Sequence, residues 1–386
     1  MRPPRRGSND VTYGPMKPRL GVALCAAGAV LAIAAAAIAP VPAVTAAERT
    51  WPPFVLVAGL LVIGLVANED GLFRAVAAPL SRIGSGLAIY AVAMALVALV
   101  TVFLNLDTSV AFLTPVLVHL ARSRGSGEDR FLYGCVFMSN AASLLLPGSN
   151  LTNLLILADE HISGSRFLAS MAAPWLAAVL ATAIIVAIAF PDARGSAPPQ
   201  QPGPPLSWLS LASIVLAAAL ILLLADSALP VLAVGLALAG IRLAQRRLSL
   251  RRVLACVDVL SLLGVFLVAV AFGTLSAIWS APAAFLRTAS DAQAAAVGAV
   301  AAVLINNLPA AGLLGSQLPA HPRSLLLGLN IGPNLAVTGS LSALLWWQTA
   351  RSIGARPSAS RYSAVGLVLV PLTLAAALAA ERVPLL

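Results

Sequence analysis

Charged residues are the scarcest class in this 386-residue chain. They make up 10% of it, whereas hydrophobic residues make up 60%, and the mean hydropathy is +0.95. A soluble domain typically carries about a quarter charged residues, so this chain cannot cover a water-exposed globule with polar surface. The composition therefore excludes an ordinary soluble domain and indicates a protein embedded in a lipid bilayer.

Cysteine is scarce as well. Cys25, Cys135 and Cys256 lie singly in apolar stretches, which excludes a disulfide framework and gives no zinc-ligand spacing. The chain also lacks the His-Glu-x-x-His, Gly-x-Ser-x-Gly and P-loop signatures of hydrolases and nucleotide-binding enzymes. We therefore expect neither an enzyme nor a bound metal or cofactor.

What the chain has in abundance is long apolar runs. Each run of about 20 apolar residues is long enough for a helix that crosses the hydrocarbon core, and no alternating strands of a membrane barrel are present. The sequence predicts an all-α polytopic membrane protein with about nine full crossings plus two hairpins. The predicted crossings are 20–44, 53–67, 131–158 with a break, 167–190, 207–225, 228–243, 253–280, 325–349 with a break, and 363–380, and the hairpins are 85–121 and 292–318.

The basic residues allow this topology to be tested against the positive-inside rule. With a cytoplasmic N-terminus, 19 of the 24 Lys and Arg residues fall in cytoplasmic segments, as expected for the cytoplasmic membrane. The net charge of +10 is thus spread over the loops. A basic face on one domain, which nucleic acid would require, is not indicated.

The same map gives an inverted repeat of two crossings, a hairpin, a broken helix and a closing helix. The order occurs twice, beginning on opposite sides of the membrane, as in many secondary transporters. The predicted divisions are a cytoplasmic segment 1–19, a first repeat 20–190, a Pro-rich linker and connector helix 191–227, a second repeat 228–380 and a tail 381–386.

Polar interruptions occur at corresponding places in the two repeats, at each hairpin tip and in each broken helix. Helices break at membrane depth only where the freed backbone groups face protein or a cavity, so paired breaks point to a substrate site. The substrate-binding candidates are Asn105, Thr108, Ser149, Asn150, Thr152, Asn153, Asn306, Asn307, Asn334, Thr338 and Ser340. The alternative interpretation is that these side chains only join and kink packed helices.

Asp107 is the acidic residue set deepest in apolar sequence. An intramembrane carboxylate is costly and is a functional candidate by default, so Asp107 is a candidate proton carrier, although a sodium ligand is equally good chemistry. It can at the same time cap the second arm of its hairpin.

Several segments resemble the ArsB-type arsenite efflux permeases of the ion transporter (citrate transporter-like) superfamily. They are FLNLDTSVAFLTP at 103–115, ASLLLPGSNLTNL at 142–154, INNLP at 305–309 and IGPNLAVTGSLSALLW at 331–346. The resemblance implies proton-coupled export of arsenite, and often antimonite, sometimes assisted by a separate arsenite-stimulated soluble ATPase. Membership of the superfamily also makes a homodimer plausible.

Two other interpretations of the function stay open. The same scaffold could be a sodium/proton antiporter, or could carry a dicarboxylate or another anion. In a different class, the chain could be a membrane subunit that anchors a partner and transports nothing.

Overall fold

The structure is a computed structural model that describes residues 18–83, 85–157, 163–191, 205–224, 226–315 and 319–382. Nearly all of the predicted segment 1–19, most of the Pro-rich part of the linker and most of the tail 381–386 lie outside these residues. Every regular element in the described part of the chain is helical. The predicted all-α architecture is therefore confirmed.

The first half, up to residue 191, contains eight α-helices in the described residues. They are α1 (Pro18–Ile38), α2 (Pro40–Glu69), α3 (Leu72–Ala77), α4 (Gly86–Phe103), α5 (Leu106–Ser123), α6 (Asp129–Ala142), α7 (Leu151–Leu157) and α8 (Gly164–Ala189). Short 3-10 turns lie at Ala78–Arg82 and Pro147–Ser149.

A connector helix and the second half follow. They comprise α9 (Trp208–Leu223), α10 (Ala228–Ala244), α11 (Leu250–Val257), α12 (Val259–Ile278), α13 (Ala281–Thr288), α14 (Asp291–Ile305), α15 (Asn307–Gly315), α16 (Pro322–Ile331), α17 (Leu341–Ser352) and α18 (Ala359–Glu381). Two 3-10 turns, Gly332–Leu335 and Val337–Gly339, separate α16 from α17.

Contacts between the two halves are reciprocal. Helix α1 packs on α12 and α2 on α10, α5 packs on α17 and α15 on α7, and the closing helices α8 and α18 pack on each other. An internal two-fold relation produces this pattern, in which each contact occurs twice with the partners exchanged. The reciprocity supports the inverted repeat, whose boundaries stay a prediction.

Two glycine pairs allow the closest of these helix contacts. A Cβ on Gly28 of α1 would lie 2.6 Å from the Gly264 carbonyl oxygen of α12, and one on Gly235 of α10 would lie 2.8 Å from the Gly59 carbonyl oxygen of α2. Small residues let membrane helices approach backbone to backbone. The same device is therefore used at both members of a repeat-related pair.

Two predicted crossings differ in their limits from the helices. We expected crossings at 20–44 and 53–67, but the chain turns at Ala39 and α2 then runs unbroken from Pro40 to Glu69. Both sides of the turn are apolar, so hydropathy cannot detect it, and Pro40 fits the first helical turn, where its missing N–H costs nothing.

The predicted crossing 253–280 is divided too. Asp258 adopts a left-handed conformation with φ of 41° and separates α11 from α12. Its carboxylate caps α12 by accepting from the Ser261 amide at 3.4 Å, and it also accepts from the Ser261 hydroxyl at 2.7 Å.

Loops from both halves lie together at one end of the molecule. Arg361 pairs with Asp129, Arg122 donates to the Ile353 carbonyl at 2.7 Å, and Arg242 pairs with Asp70 at 2.6 Å. We call this end of the molecule, formed by the ends of α2, α5, α10 and α17 and the starts of α6, α9 and α18, the arginine-rich face. Six of the described helices are long and apolar enough to span a bilayer, and the molecule is a multi-pass membrane protein.

Candidate functional site

The first helix break lies between α6 and α7 and is enclosed by protein. Asn150 accepts a hydrogen bond from the Thr152 amide at 3.1 Å and so caps α7. The Asn153 amide nitrogen donates to the Ser143 and Leu146 carbonyls, at 2.7 and 3.1 Å. Ser149 donates to the Val102 carbonyl of α4 at 3.0 Å. Side chains of the break therefore satisfy the backbone groups that the break exposes.

The second break, between α16 and α17, follows the same plan. Ser340 caps α17 by accepting from the Ala343 amide at 3.1 Å. Asn306, at the tip of the α14–α15 hairpin, donates to the Thr338 carbonyl at 3.0 Å. Each break is thus tied to the hairpin of its own half, as Ser149 ties the first break to α4.

The hairpin tips are capped by their asparagines. The Asn105 side chain accepts from the Thr108 amide at 2.7 Å and starts α5. Asn306 has a φ of 74°, which is uncommon for a residue other than glycine, and its side chain accepts from the Leu308 amide at 3.3 Å. Both tips therefore use an asparagine side chain to cap the second helical arm, although the two backbone conformations differ.

The two breaks meet in a buried group of amides and one hydroxyl, which we call the amide cluster. Asn330 lies at its centre. Its carbonyl oxygen accepts from Asn150 and, at 2.9 Å, from Ser143, and its nitrogen donates to Asn153 at 2.9 Å. The cluster consists of Asn140, Ser143, Asn150, Asn153, Asn330 and Asn334, all buried.

A second contact completes this link between the halves. The Asn140 nitrogen donates to the Asn334 oxygen at 2.8 Å, and the Asn334 nitrogen donates to the Phe137 carbonyl at 3.3 Å. Hydrogen bonds therefore cross between the predicted repeats at two places in the membrane interior.

Three members of the amide cluster are absent from the sequence-based candidates: Asn140, Ser143 and Asn330. A signal for two of them was available. Asn140 precedes the cap residue Asn150 by ten positions, and Asn330 precedes the cap residue Ser340 by ten as well. An alignment of the two broken helices on their caps would have paired these asparagines.

Asp107 also joins the halves. Its carboxylate accepts a hydrogen bond from the Ser342 hydroxyl of α17 at 2.5 Å, and it makes no ion pair with any residue that the structure describes. Ser342 was not among the predicted residues. The carboxylate therefore lies on the seam between the first hairpin and the second broken helix.

Several buried polar atoms have no hydrogen-bond partner among the described residues. Buried polar groups are otherwise almost always paired, so unpaired ones at a candidate site are groups available to a ligand. They are the Asn105 amide nitrogen, the Thr108 and Thr152 hydroxyls, and the Asn140 and Asn307 amide oxygens. The set offers uncharged donors and acceptors on both hairpins and on the first break.

Not every predicted residue joins this group. The Thr338 side chain is exposed. Within the described chain, no hydrogen bond connects Asn306, Asn307 or Thr338 with the amide cluster or with Asp107. Of the candidates at the two breaks, the structure brings Asn150, Asn153 and Asn334 into the amide cluster. Ser149 and Ser340 bond to backbone groups of their own halves instead.

Aromatic side chains support the second break from the arginine-rich face. Tyr362 of α18 donates to the Pro333 carbonyl at 3.1 Å, and Trp346 of α17 donates to the Leu132 carbonyl at 2.9 Å. Tyr133 stacks on Phe190 with 4.9 Å between the ring centroids. These rings fix the position of α17 relative to α6.

The chain is similar in sequence and in fold to known proteins. The sequence profile of the citrate transporter family (CitMHS) matches residues 16–333, which is most of the chain. The chain belongs to the citrate transporter family. It is accordingly a membrane transporter.

Curated relatives of this citrate transporter family member include the arsenical pump membrane proteins of Escherichia coli. One is 31% identical over 173 residues, covering 42% of this chain and 39% of the relative. Another, from strain K12, is 28% identical over 170 residues with the same coverage. The alignments span about two fifths of the length of these relatives.

A solved structure shares the fold. The YdaH transporter of Alcanivorax borkumensis superposes with a TM-score of 0.54 over 94% of this chain and 97% of its own, at 16% identity. The likeness extends over nearly the whole chain.

Proposed function

We propose that this member of the citrate transporter family exports arsenite, and with it antimonite, by proton-coupled alternating access between the two repeats. The observation that carries the proposal is the chemistry of the junction between the breaks. It offers unpaired amides and hydroxyls together with one carboxylate, Asp107, which contacts the other half through Ser342. The substrate is inferred from the two Escherichia coli relatives, which are arsenical pump membrane proteins.

The polar groups at the junction suit a neutral, hydroxylated solute. Arsenous acid is uncharged at neutral pH and offers only hydroxyl groups, which amides and hydroxyls can bind. A carboxylate substrate favours fixed cations, above all bidentate arginine. No arginine, lysine or histidine takes part in the hydrogen bonds of the amide cluster in the described chain.

Export against a gradient requires a driving ion, and Asp107 has the position to couple one. Alternating access moves the repeats relative to each other, so a contact that joins them has to form and break during the cycle. The Asp107–Ser342 hydrogen bond is such a contact. The Asp107 carboxylate can accept a proton in the state in which Ser342 has moved away.

Arsenite uptake into everted vesicles tests the proposal. The vesicles come from an exporter-deficient host and contain no ATP, so that only an ion gradient drives uptake. We expect accumulation that depends on the proton gradient in wild type, and a loss of about 100-fold in Asp107→Asn, the range that removal of a proton-transferring group produces. Asp226→Asn, in an exposed loop, is the matched control and should transport like wild type.

The same vesicles separate the other functions. Uptake of a dicarboxylate, or sodium-dependent proton movement, without arsenite transport would assign the chain to those activities on the same scaffold. A folded protein that moves none of these solutes would be a membrane anchor. Full gradient-driven arsenite transport in Asp107→Asn would contradict the proton-coupling role of Asp107 but not the proposed arsenite export.

A further inference from the structure

A cavity of about 480 Å³ opens at the arginine-rich face, away from the amide cluster. The end of α2, the start of α9 and the end of α10 form its walls, and Asp70, Ser207, Arg242 and Arg247 line it. We call it the arginine cavity. A water molecule takes about 30 Å³ in the liquid, so the cavity has room for a phosphate-sized group.

Arg242 is the buried group of this cavity, with 8% of its surface exposed. Its two terminal nitrogens donate to Asp70 and to Gln245, at 2.6 and 2.7 Å. Its Nε has no partner among the described residues. That nitrogen is itself enclosed by protein, so Arg242 acts on the cavity through its positive charge.

The remaining charges make the cavity attractive to anions. The two acids in its wall are already paired, Asp70 with Arg242 at 2.6 Å and Glu69 with Arg252 at 2.8 Å. Arg247 is exposed and makes no ion pair within the described part of the chain. The 16-residue helix α9 begins here, and the positive end of its dipole adds to the potential.

The rim of the cavity is apolar. Leu206, which lines it, is 37% exposed, and the neighbouring Trp208 is 73% exposed. Tryptophan typically marks the headgroup level of a membrane protein. A ligand with a phosphate and attached hydrocarbon fits a site that has arginines inside and apolar side chains at the edge.

We propose that the arginine cavity binds the phosphodiester headgroup of an anionic phospholipid in the leaflet at the arginine-rich face. Basic pockets between membrane helices bind such headgroups. The bound phosphate accepts from Arg247 and lies in the positive potential of Arg242 and of the α9 N-terminus. Because α2, α9 and α10 belong to the first repeat, the connector and the second repeat, the lipid joins all three. This site is independent of the proposed arsenite transport.

Lipid titration of the purified full-length chain in neutral detergent tests the proposal. The thermal unfolding midpoint is followed against phosphatidylglycerol, phosphatidylcholine and inorganic phosphate. We expect only phosphatidylglycerol to raise the midpoint of wild type. In Arg247→Gln the half-saturating concentration should rise about five-fold, the usual effect of removing one arginine near a charged membrane surface.

Two variants complete the test. Arg356→Gln removes an exposed arginine from a loop at the same face and should bind like wild type, whereas Arg247→Lys should recover most of the affinity. Equal half-saturation in Arg247→Gln and Arg356→Gln would overturn the proposal. Stabilisation by inorganic phosphate as strong as that by phosphatidylglycerol would show a site for free anions and overturn the lipid assignment.

Discussion

Between Ser143 and Asn150 the first break is buried at every position except Leu145, whereas in the second break Thr338 reaches the surface. The side chains that hold the first break are amides and hydroxyls. The second break is also capped by polar side chains, Ser340 and Asn306. It is held in addition by backbone packing and aromatic rings, and a Cβ on Gly366 of α18 would lie 2.2 Å from the Asn334 carbonyl oxygen. A repeated arrangement of helices therefore carries two different kinds of packing.

The two hairpin tips also differ, because only the first carries a charged side chain. The first carries the carboxylate of Asp107 beside the buried Asn105, and the second has Asn307 and Pro309 in the corresponding turn with no charge. The unpaired polar atoms of the candidate site are thus concentrated in the first half. The second half contributes Asn330 and Ser342 as hydrogen-bond partners for the first.

The largest expected difference between the two breaks is in the loss of stability when a glycine that packs at each break is replaced by alanine. In Gly366→Ala the new Cβ meets backbone that cannot rotate away, so we expect a loss of about 3 kcal/mol in stability, as for overpacked cores. In Gly148→Ala of the first break, the Cβ meets the Cδ1 atom of Ile221 at 2.8 Å. That side chain can change rotamer, and the loss should stay below about 1 kcal/mol.

Thermal unfolding in detergent, followed by tryptophan fluorescence, measures both variants. Gly240→Ala is the control, because nothing lies within 4 Å of its added Cβ, and it should be neutral or slightly stabilising through helix propensity. Equal losses in Gly366→Ala and Gly148→Ala would show that the two breaks are packed alike.

Asparagine substitutions compare the halves at the amide cluster. Asn330→Ala would leave Ser143, Asn150 and Asn153 each without one partner, so we expect a loss of about 2 kcal/mol. Asn140→Ala breaks only the bond to Asn334 outside its own helix and should cost about half as much. The unfolding midpoint gives the ranking, and a larger loss in Asn140→Ala would displace Asn330 from the centre of the cluster.

These residues also show what sequence can and cannot predict. Hydropathy and polar interruptions were sufficient for the all-α architecture, both hairpins and both breaks, because apolar length and helix-breaking residues act locally. The corner at Ala39 and the break at Asp258 were missed, since long apolar stretches flank both on either side. Asn330 shows a signal only when the two broken helices are aligned on their caps. Ser342 was missed because its importance comes from a contact across the two halves, which no local pattern records.

Ion pairs at the arginine-rich face provide the smallest and most specific comparison. Asp70–Arg242 and Asp129–Arg361 both join the first half to the second, but the former side chains are 7% and 10% exposed and the latter 39% and 53%. Burial by itself would raise the pKa of Asp70. Hydrogen bonds from Arg242, Ser210 and Ser207 outweigh it and hold that pKa below the ordinary value of 3.8.

A carboxyl group with a lowered pKa stabilises the fold above its unfolded pKa and loses that contribution as the pH falls through its folded pKa. Wild type should therefore unfold at a higher temperature than Asp70→Asn near neutral pH, and the difference should shrink once the pH falls below 3.8. Asp129→Asn should change the midpoint little at any pH, because exposed ion pairs contribute little stability. A difference in unfolding midpoint between wild type and Asp70→Asn that stayed constant across this pH range would mean that Asp70 acts through packing. The charge of the buried Asp70–Arg242 pair would then contribute no more stability than that of the exposed Asp129–Arg361 pair.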